Sequence, residues 1–291
     1  MRIKAQLVLV VFLEHRLSNL DIAVIGAGSL GSIIAKNMAT FHSKTWATKR
    51  TLQDIQHLKS QGVKITDDNS SVDASVYVYT IKKHNLSQVN NEIKLYGQFL
   101  ISAIAGVTLN ELDFFNKVAR IMPSIGVATK TGFVAYSMNS NCGKYEQKVI
   151  DYIFQGNHVF EIDESLMNLV TIGACLPGLY AKILETECDD ATKQNVLHIY
   201  ENYLTMNGLD YETSVHIVES VVQTIESFKL RGLEFDSIYA KVASPGGGTV
   251  KAHEYAQSIG FYNDLERHNK QDLEIEINSI LDKAYNHFKG K

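Results

Sequence analysis

Asp21-Ile22-Ala23-Val24-Ile25-Gly26-Ala27-Gly28-Ser29-Leu30-Gly31 is the stretch on which the reading of the fold turns. Asp21–Ile25 reads as a buried strand, and Leu30–Phe41 has the periodicity of a helix. Between them stands G-x-G-x-x-G, in the context that gives the motif meaning. The first glycine, Gly26, allows a tight turn, and the second, Gly28, lets backbone approach a pyrophosphate. The third, Gly31, lets helix and strand pack closely. The N–H groups of Ser29 and Leu30, at the helix start, face the phosphates with the positive end of the helix dipole. A dinucleotide cofactor is therefore expected on Gly26, Gly28, Ser29, Leu30 and Gly31.

Strand and helix patterns alternate outward from this motif. Lys44–Thr48, Ser75–Ile81, Phe99–Ile104 and Val118–Met122 read as strands, and Thr51–Ser60, Leu86–Leu95 and Leu109–Phe115 as helices. That alternation predicts a parallel sheet covered by helices. From about Asp163 onward the patterns are helical. Val215, Val218, Val222, Ile225 and Phe228 form one apolar stripe, and Gly208 and Gly232 follow helical runs where a left-handed cap is wanted. The fold class is α/β: an N-terminal Rossmann-type parallel-sheet domain over 20–160 and an all-helical dimerisation and substrate domain over 161–291. Residues 1–19 form an N-terminal extension.

The 28 Lys and Arg against 32 Asp and Glu give a net charge of −4, so no basic excess points to nucleic acid. Cys142, Cys175 and Cys188 show no metal or disulfide spacing. Leu7–Leu13 is apolar, but the run is too short to span a bilayer and lacks a cleavage signal. It reads as an extra strand or helical turn. A cytoplasmic protein with no membrane or nucleic-acid partner is expected.

The stretch after the second strand contains no acid to hold a ribose 2′-hydroxyl and ends in Lys49-Arg50-Thr51. A guanidinium fork suits a 2′-phosphate, so NADP(H) is expected over NAD(H). Far downstream, Ser244-Pro245-Gly246-Gly247-Gly248-Thr249 precedes a predicted helix, Val250–Ser258. Its backbone N–H groups suit a carboxylate, with Thr249 as N-cap or as a hydroxyl donor to a ligand.

Together these landmarks resemble the pyrroline-5-carboxylate reductase family, in register from about Leu20 to the last helix. Ile81-Lys82 is similar to the Val-Lys of its Val-Lys-Pro turn, with Lys83 in place of proline. Ile101–Val107 is similar to its Ile-Ser-x-x-Ala-Gly-Ile stretch, Arg120–Pro123 to Arg-x-Met-Pro, and Gln223-Thr224 to a Gln-Thr pair in its long dimer helix. The Ser244–Thr249 loop is similar to its Ser-Pro-Gly-Gly-x-Thr. Two segments and one helix position depart from the pattern. Ser124-Ile125-Gly126 stands for Asn-Thr-Pro, Gly173–Leu179 for Ser-Gly-Ser-Gly-Pro-Ala-Tyr, with Pro177 retained, and the glycine after Gln-Thr in the long helix is replaced near Ser227.

The resemblance implies an oxidoreductase that moves a hydride from NADPH to the C=N bond of 1-pyrroline-5-carboxylate, giving L-proline. It implies Gly246, Gly247, Gly248 and Thr249 at the substrate, with Thr249 and Lys82 as catalytic residues. It puts Thr80, Lys82, Ala105, Met122 and Pro123 along the cofactor, and no metal. It also implies a homodimer, and the Val215–Phe228 stripe would be exposed in a lone chain. Two alternatives stay open: a related NADP-dependent oxidoreductase acting on another imine or ketone, and a non-catalytic NADP-binding protein.

Overall fold

The computed structural model describes residues 17, 19–40, 44–93, 97–263, 265 and 268–289. The expectation for Leu7–Leu13 lies outside the described residues. The chain divides into two units, 1–121 with 137–155 and 122–136 with 156–291. The dividing points fall inside two neighbouring strands.

The sheet has eight strands in the order β3-β2-β1-β4-β5-β6-β7-β8. They are β1 (Ile22–Ile25), β2 (Thr45–Thr48), β3 (Lys64–Thr66), β4 (Val76–Tyr79), β5 (Phe99–Ser102), β6 (Lys117–Pro123), β7 (Phe133–Met138) and β8 (His158–Glu161). β1 is central and parallel to both neighbours, with Ile22 opposite Thr45 on one side and Val76 on the other. The chain winds outward to β3, returns past β1, and winds outward again through β4, β5 and β6. The direction of winding changes between β1 and β4, which makes a crevice at the carboxyl ends of these strands. All of β1, β4 and β5 is buried, as expected for short continuous apolar strands covered on both faces. β7 runs back beside β6: Ser124 N–H donates to the Phe133 carbonyl at 2.9 Å and Asn139 N–H to the Val118 carbonyl at 3.0 Å.

The first unit carries α1 (Ser29–Ala39), α2 (Leu86–Glu92) and α3 (Lys144–Ile153). The expected helix at Thr51–Ser60 is instead a 3₁₀ helix over Leu52–Gln61, closed by Gly62 at φ +85°. The expected helix at Leu109–Phe115 shrinks to one 3₁₀ turn, Asn110–Leu112. There Thr108 and Glu111 bond each other's backbone N–H groups in the capping-box pattern that opens a helix, but the chain continues it for a single turn. α3 starts where the buried Glu146 carboxylate accepts the Gly143 N–H at 2.9 Å and pairs with Lys117 at 2.6 Å. Burial alone would raise this carboxyl, but the Lys117 and Gly143 bonds outweigh it and hold it below its ordinary value.

The second unit packs α4 (Met167–Leu184), α5 (Asp190–Met206), α6 (Tyr211–Leu230), α7 (Phe235–Val242), α8 (Gly248–Ser258) and α9 (Lys270–Lys289). Among the described residues one helical segment, Glu164–Leu184, is long and apolar enough to cross a membrane, and most of it is buried within this unit. α4 tolerates close neighbours because of two glycines. A Cβ on Gly173 would lie 2.7 Å from Ile217 Cγ2, and one on Gly178 would lie 3.0 Å from Thr249 Cγ2. Around the start of α5, Asp189 caps the helix through Thr192 N–H, and Glu185 and Asp190 pair with Lys182 and Lys193.

The apolar stripe of α6 is not exposed as expected. Val218, Ile225 and Phe228 are buried in the unit's own core, and Val215 and Val222 are half-buried. The helices α4 and α5 cover the stripe, so it does not by itself call for a second chain.

Candidate active site

The nucleotide loop is held by bonds to the ends of two strands around a turn that Gly26 and Gly31 make possible. Gly26 takes φ +89°, and a Cβ there would lie 2.5 Å from Ile81 Cγ2. Its N–H and that of Ala27 both donate to the Thr48 carbonyl, at 3.1 and 2.7 Å, tying the turn to the end of β2. The Thr80 hydroxyl donates to the Gly26 carbonyl at 2.8 Å, tying it to the end of β4. Gly31 lies buried under the turn: a Cβ would fall 2.9 Å from the Gly26 carbonyl oxygen and would strike the Thr80 hydroxyl. Gly28 is different. It is exposed, and its nearest neighbour is 4.0 Å from where a Cβ would stand. A side chain there would project into open space, the space a pyrophosphate needs.

That space is a cleft of about 340 Å³ in the first unit. Gly26, Gly28, Lys49, Arg50, Thr51, Thr80 and Lys82 line it. Ser29 and Leu30 open α1 beside it, and no acidic residue occupies the first turn of α1. The chain therefore fits the phosphates of a dinucleotide at the place where the motif predicts them.

Lys49 and Arg50 meet different surroundings. The Lys49 ammonium pairs with Asp54 at 2.8 Å. Arg50 is held instead by two neutral amide oxygens, Asn85 Oδ1 at 3.2 Å and Gln88 Oε1 at 3.0 Å. These bonds orient the guanidinium without neutralising it. Of the two cations, Arg50 is the better prepared to receive an anion.

Sequence reasoning missed three polar residues of the cleft wall: Asp67, Asn69 and Asn85. Asp67 and Asn69 follow β3, a three-residue strand without a periodic signature, so nothing marked their position. Other expected cofactor residues are not among those that line this cleft. Ala105 is exposed in the loop after β5, while Met122 and Pro123 end β6 and belong to the second unit. His84, beside Lys82, is a surface residue.

The second unit holds the other glycine-rich loop. α7 ends at Val242, and the chain turns through Ser244–Gly247, with Gly247 N–H donating to the Ser244 carbonyl at 2.8 Å. Gly246 sits at φ +69°, where a side chain would be strained. The N-cap of α8 is Gly247, so Thr249 is not the cap but the second residue of the helix. The Gly248 and Thr249 N–H groups belong to the first turn and have no carbonyl within the helix to bond. The Gly247 N–H is taken by the turn. Gly248 is close-packed, and a Cβ there would run into the Phe288 ring of α9. Thr249 is buried, and its hydroxyl and N–H lie against the buried Cys175 thiol of α4. Burial pushes that thiol up to about 11, which keeps it protonated at neutral pH.

The two segments that depart from the family pattern are local packing solutions. Gly126 and Gly132 approach so closely that a Cβ on Gly126 would lie 2.6 Å from Gly132 Cα, and Ser124 Oγ accepts the Phe133 N–H at 3.0 Å. Thr224 of the Gln-Thr pair is buried against Thr131, 3.4 Å between hydroxyls. Gly173–Leu179 lies inside α4, where Leu176, Pro177 and Leu179 are buried. Among the described residues no His, Cys, Asp and Glu cluster could hold a metal.

Residues 21–106 match the family described as "NADP oxidoreductase coenzyme F420-dependent". Over 255 residues the chain is 23% identical to the pyrroline-5-carboxylate reductase of Aquifex aeolicus, covering 82% of this chain and 90% of that protein. The structure of a pyrroline-5-carboxylate reductase from Coxiella burnetii superposes with a TM-score of 0.55 at 19% identity, covering 94% of this chain and 98% of that one. That of the Plasmodium falciparum pyrroline carboxylate reductase with NADP bound gives 0.52 at 19%, covering 93% and 98%. At these identities the structural likeness carries the fold alone. The chain is thus similar in sequence to pyrroline-5-carboxylate reductases and has the fold of an NAD(P)-dependent oxidoreductase.

Proposed function

We propose that the chain reduces the C=N bond of 1-pyrroline-5-carboxylate to L-proline, with NADPH as cofactor. What supports this reading is the Ser244–Thr249 loop, whose glycine-shaped turn opens a helix with the Gly248 and Thr249 N–H groups in its first turn. NADPH, when bound, supplies the hydride. The residues of the chain bind and orient. Gly26, Gly28, Ser29, Leu30 and Gly31 hold the pyrophosphate, and Arg50, with Lys49 and Thr51, holds the 2′-phosphate. Thr80 braces the Gly26 turn. Ala105, Met122, Pro123 and Lys82 line the nicotinamide end. Gly246 and Gly247 shape the substrate loop, and the Gly248 and Thr249 N–H groups take the substrate carboxylate while the Thr249 hydroxyl bonds the ring nitrogen, the two Thr249 groups giving up the Cys175 thiol for the substrate. An imine protonated in solution needs no strong side-chain acid, so alignment and exclusion of water do most of the work.

In functional terms residues 20–160 serve the cofactor, and 161–291 serve substrate and dimerisation. The reading includes a cytoplasmic homodimer. Sedimentation at micromolar concentration checks the dimer, and a single monomeric species would remove it.

The cofactor choice has its own test. Arg50→Glu is expected to weaken NADPH about a hundredfold while changing NADH by less than about threefold, since one charge-assisted bond is lost and one repulsion gained. Fluorescence titration with both cofactors measures the ratio. An unchanged ratio would overturn the 2′-phosphate assignment.

The experiment for the reaction is NADPH oxidation followed at 340 nm with racemic pyrroline-5-carboxylate. Turnover supports the reading. Tight NADPH binding without turnover rejects it, and a screen of other imines and ketones then separates a related oxidoreductase from a non-catalytic binder. The rewritten Gly173–Leu179 segment, with Cys175 against Thr249, is the observation that favours another substrate.

A further inference from the structure

Lys83 stands in the turn between β4 and α2, next to the cleft-lining Thr80, Ile81 and Lys82. Its ammonium does not face solvent alone. It donates to the Gly106 carbonyl at 2.7 Å and pairs with Glu111 at 2.8 Å. The other Glu111 oxygen accepts the Thr108 N–H at 2.9 Å and the Thr108 hydroxyl at 3.2 Å. The Glu111 N–H returns to that hydroxyl at 3.2 Å. The Lys83 bond first, and the Thr108 N–H next, hold the Glu111 carboxyl below the usual carboxylate range. Gly106 itself takes φ +72°. One ammonium thus closes a ring of bonds around residues 106–111 and ties that loop, at the carboxyl end of β5, to the turn at the carboxyl end of β4.

The Lys83 and Glu111 side chains are 48% and 41% exposed. Such a pair adds little to global stability. Its consequence is local, because it sets where the loop after β5 stands relative to the turn after β4. In a doubly wound sheet the dinucleotide lies across the carboxyl ends of the strands. The Gly26–Gly31 turn and Arg50 occupy the β1–β2 side of the change in winding, which leaves β4 and β5 for the other half of the cofactor.

We propose that Lys83 is a positioning residue for the nicotinamide half of the cofactor, acting by pinning the Ala105–Gly106 loop. This rests on the dinucleotide reading of the cleft. Lys83→Met and Lys83→Arg, with the wild type, are titrated calorimetrically with NADPH and with adenosine 2′,5′-bisphosphate, which has the 2′-phosphate but no nicotinamide. Lys83→Met is expected to weaken NADPH about fivefold, the worth of one hydrogen bond, with the bisphosphate within about twofold. Lys83→Arg, which keeps a donor for the carbonyl, recovers at least half of the loss. Equal weakening of both ligands, or no weakening of NADPH, overturns the proposal, and an unchanged melting temperature for Lys83→Met ensures that the comparison is between folded proteins. Wild-type protein that binds neither ligand overturns the cofactor reading and this proposal with it. Wild-type binding of both with no selective loss overturns this proposal alone.

Discussion

Thr249→Ala is expected to lower NADPH-dependent turnover of pyrroline-5-carboxylate about a hundredfold, the usual cost of removing one preorganised donor from a reacting centre. Thr249 is placed by three constraints. It is the second residue of α8, it is buried, and its side chain packs against Gly178 and Cys175 of α4. Its rotamer is therefore set before any ligand arrives, and the hydroxyl loses little freedom on binding. Thr249→Ser, which keeps the hydroxyl, should retain most of the activity. NADPH affinity should stay within about twofold in both variants, because one hydrogen bond to the substrate is at issue and none to the nucleotide loop. Steady-state rates beside NADPH titration check all three statements. If alanine at 249 left turnover intact, the loop would not be the substrate site. If serine failed as badly as alanine, the methyl packing against Gly178, and not the hydroxyl, would be what matters.

The second large effect belongs to Gly31. Gly31→Ala puts a methyl 2.9 Å from the Gly26 carbonyl oxygen and onto the Thr80 hydroxyl. Neither neighbour can yield cheaply, because the Gly26 turn is bonded to β2 and the Thr80 hydroxyl is committed to the Gly26 carbonyl. Either α1 backs away from β1 or the turn opens. Overpacking of this kind costs about 2 kcal/mol or more. If the turn opens, the cost appears as cofactor affinity, about thirtyfold for NADPH. If α1 moves, it appears as a lower denaturation midpoint. Urea unfolding and NADPH titration on the same variant tell the two apart. A variant with wild-type values in both would mean that helix and strand do not need the close approach.

Much of the first unit was legible in the sequence because its signals are local. A strand, a glycine turn and a helix follow one another within Ile22–Ala39, and each announces itself by short-range pattern. Gly208 and Gly232 were readable as left-handed caps for the same reason: each lies at positive φ just beyond a helical run. The Ser244–Thr249 loop was legible as a helix entry. Its cap was misassigned by two positions, because Gly246 at φ +69° and the Ser244–Gly247 bond start the helix earlier than residue preference suggests.

The rest depended on partners distant along the chain. β3 has three residues and exists because Trp46–Thr48 of β2 pairs with it, so Asp67 and Asn69 could not be foreseen in the cleft wall. Arg50 and Lys49 are adjacent in sequence and alike in charge. Only the fold sets Asp54 against one and the amides of Asn85 and Gln88 against the other. The apolar stripe of α6 suggested an exposed face, and the helices folded over it removed that face.

The doubly wound nucleotide fold, the helical second half and the two glycine turns follow from local sequence, because periodicity and backbone permission act over a few residues. Which cation stays uncompensated, which residues wall the cleft, what covers α6, and the reach of Lys83 to Gly106 and Glu111 follow from the folded chain. Those outcomes depend on pairings between segments tens of residues apart, for which no short stretch of sequence carries the signal.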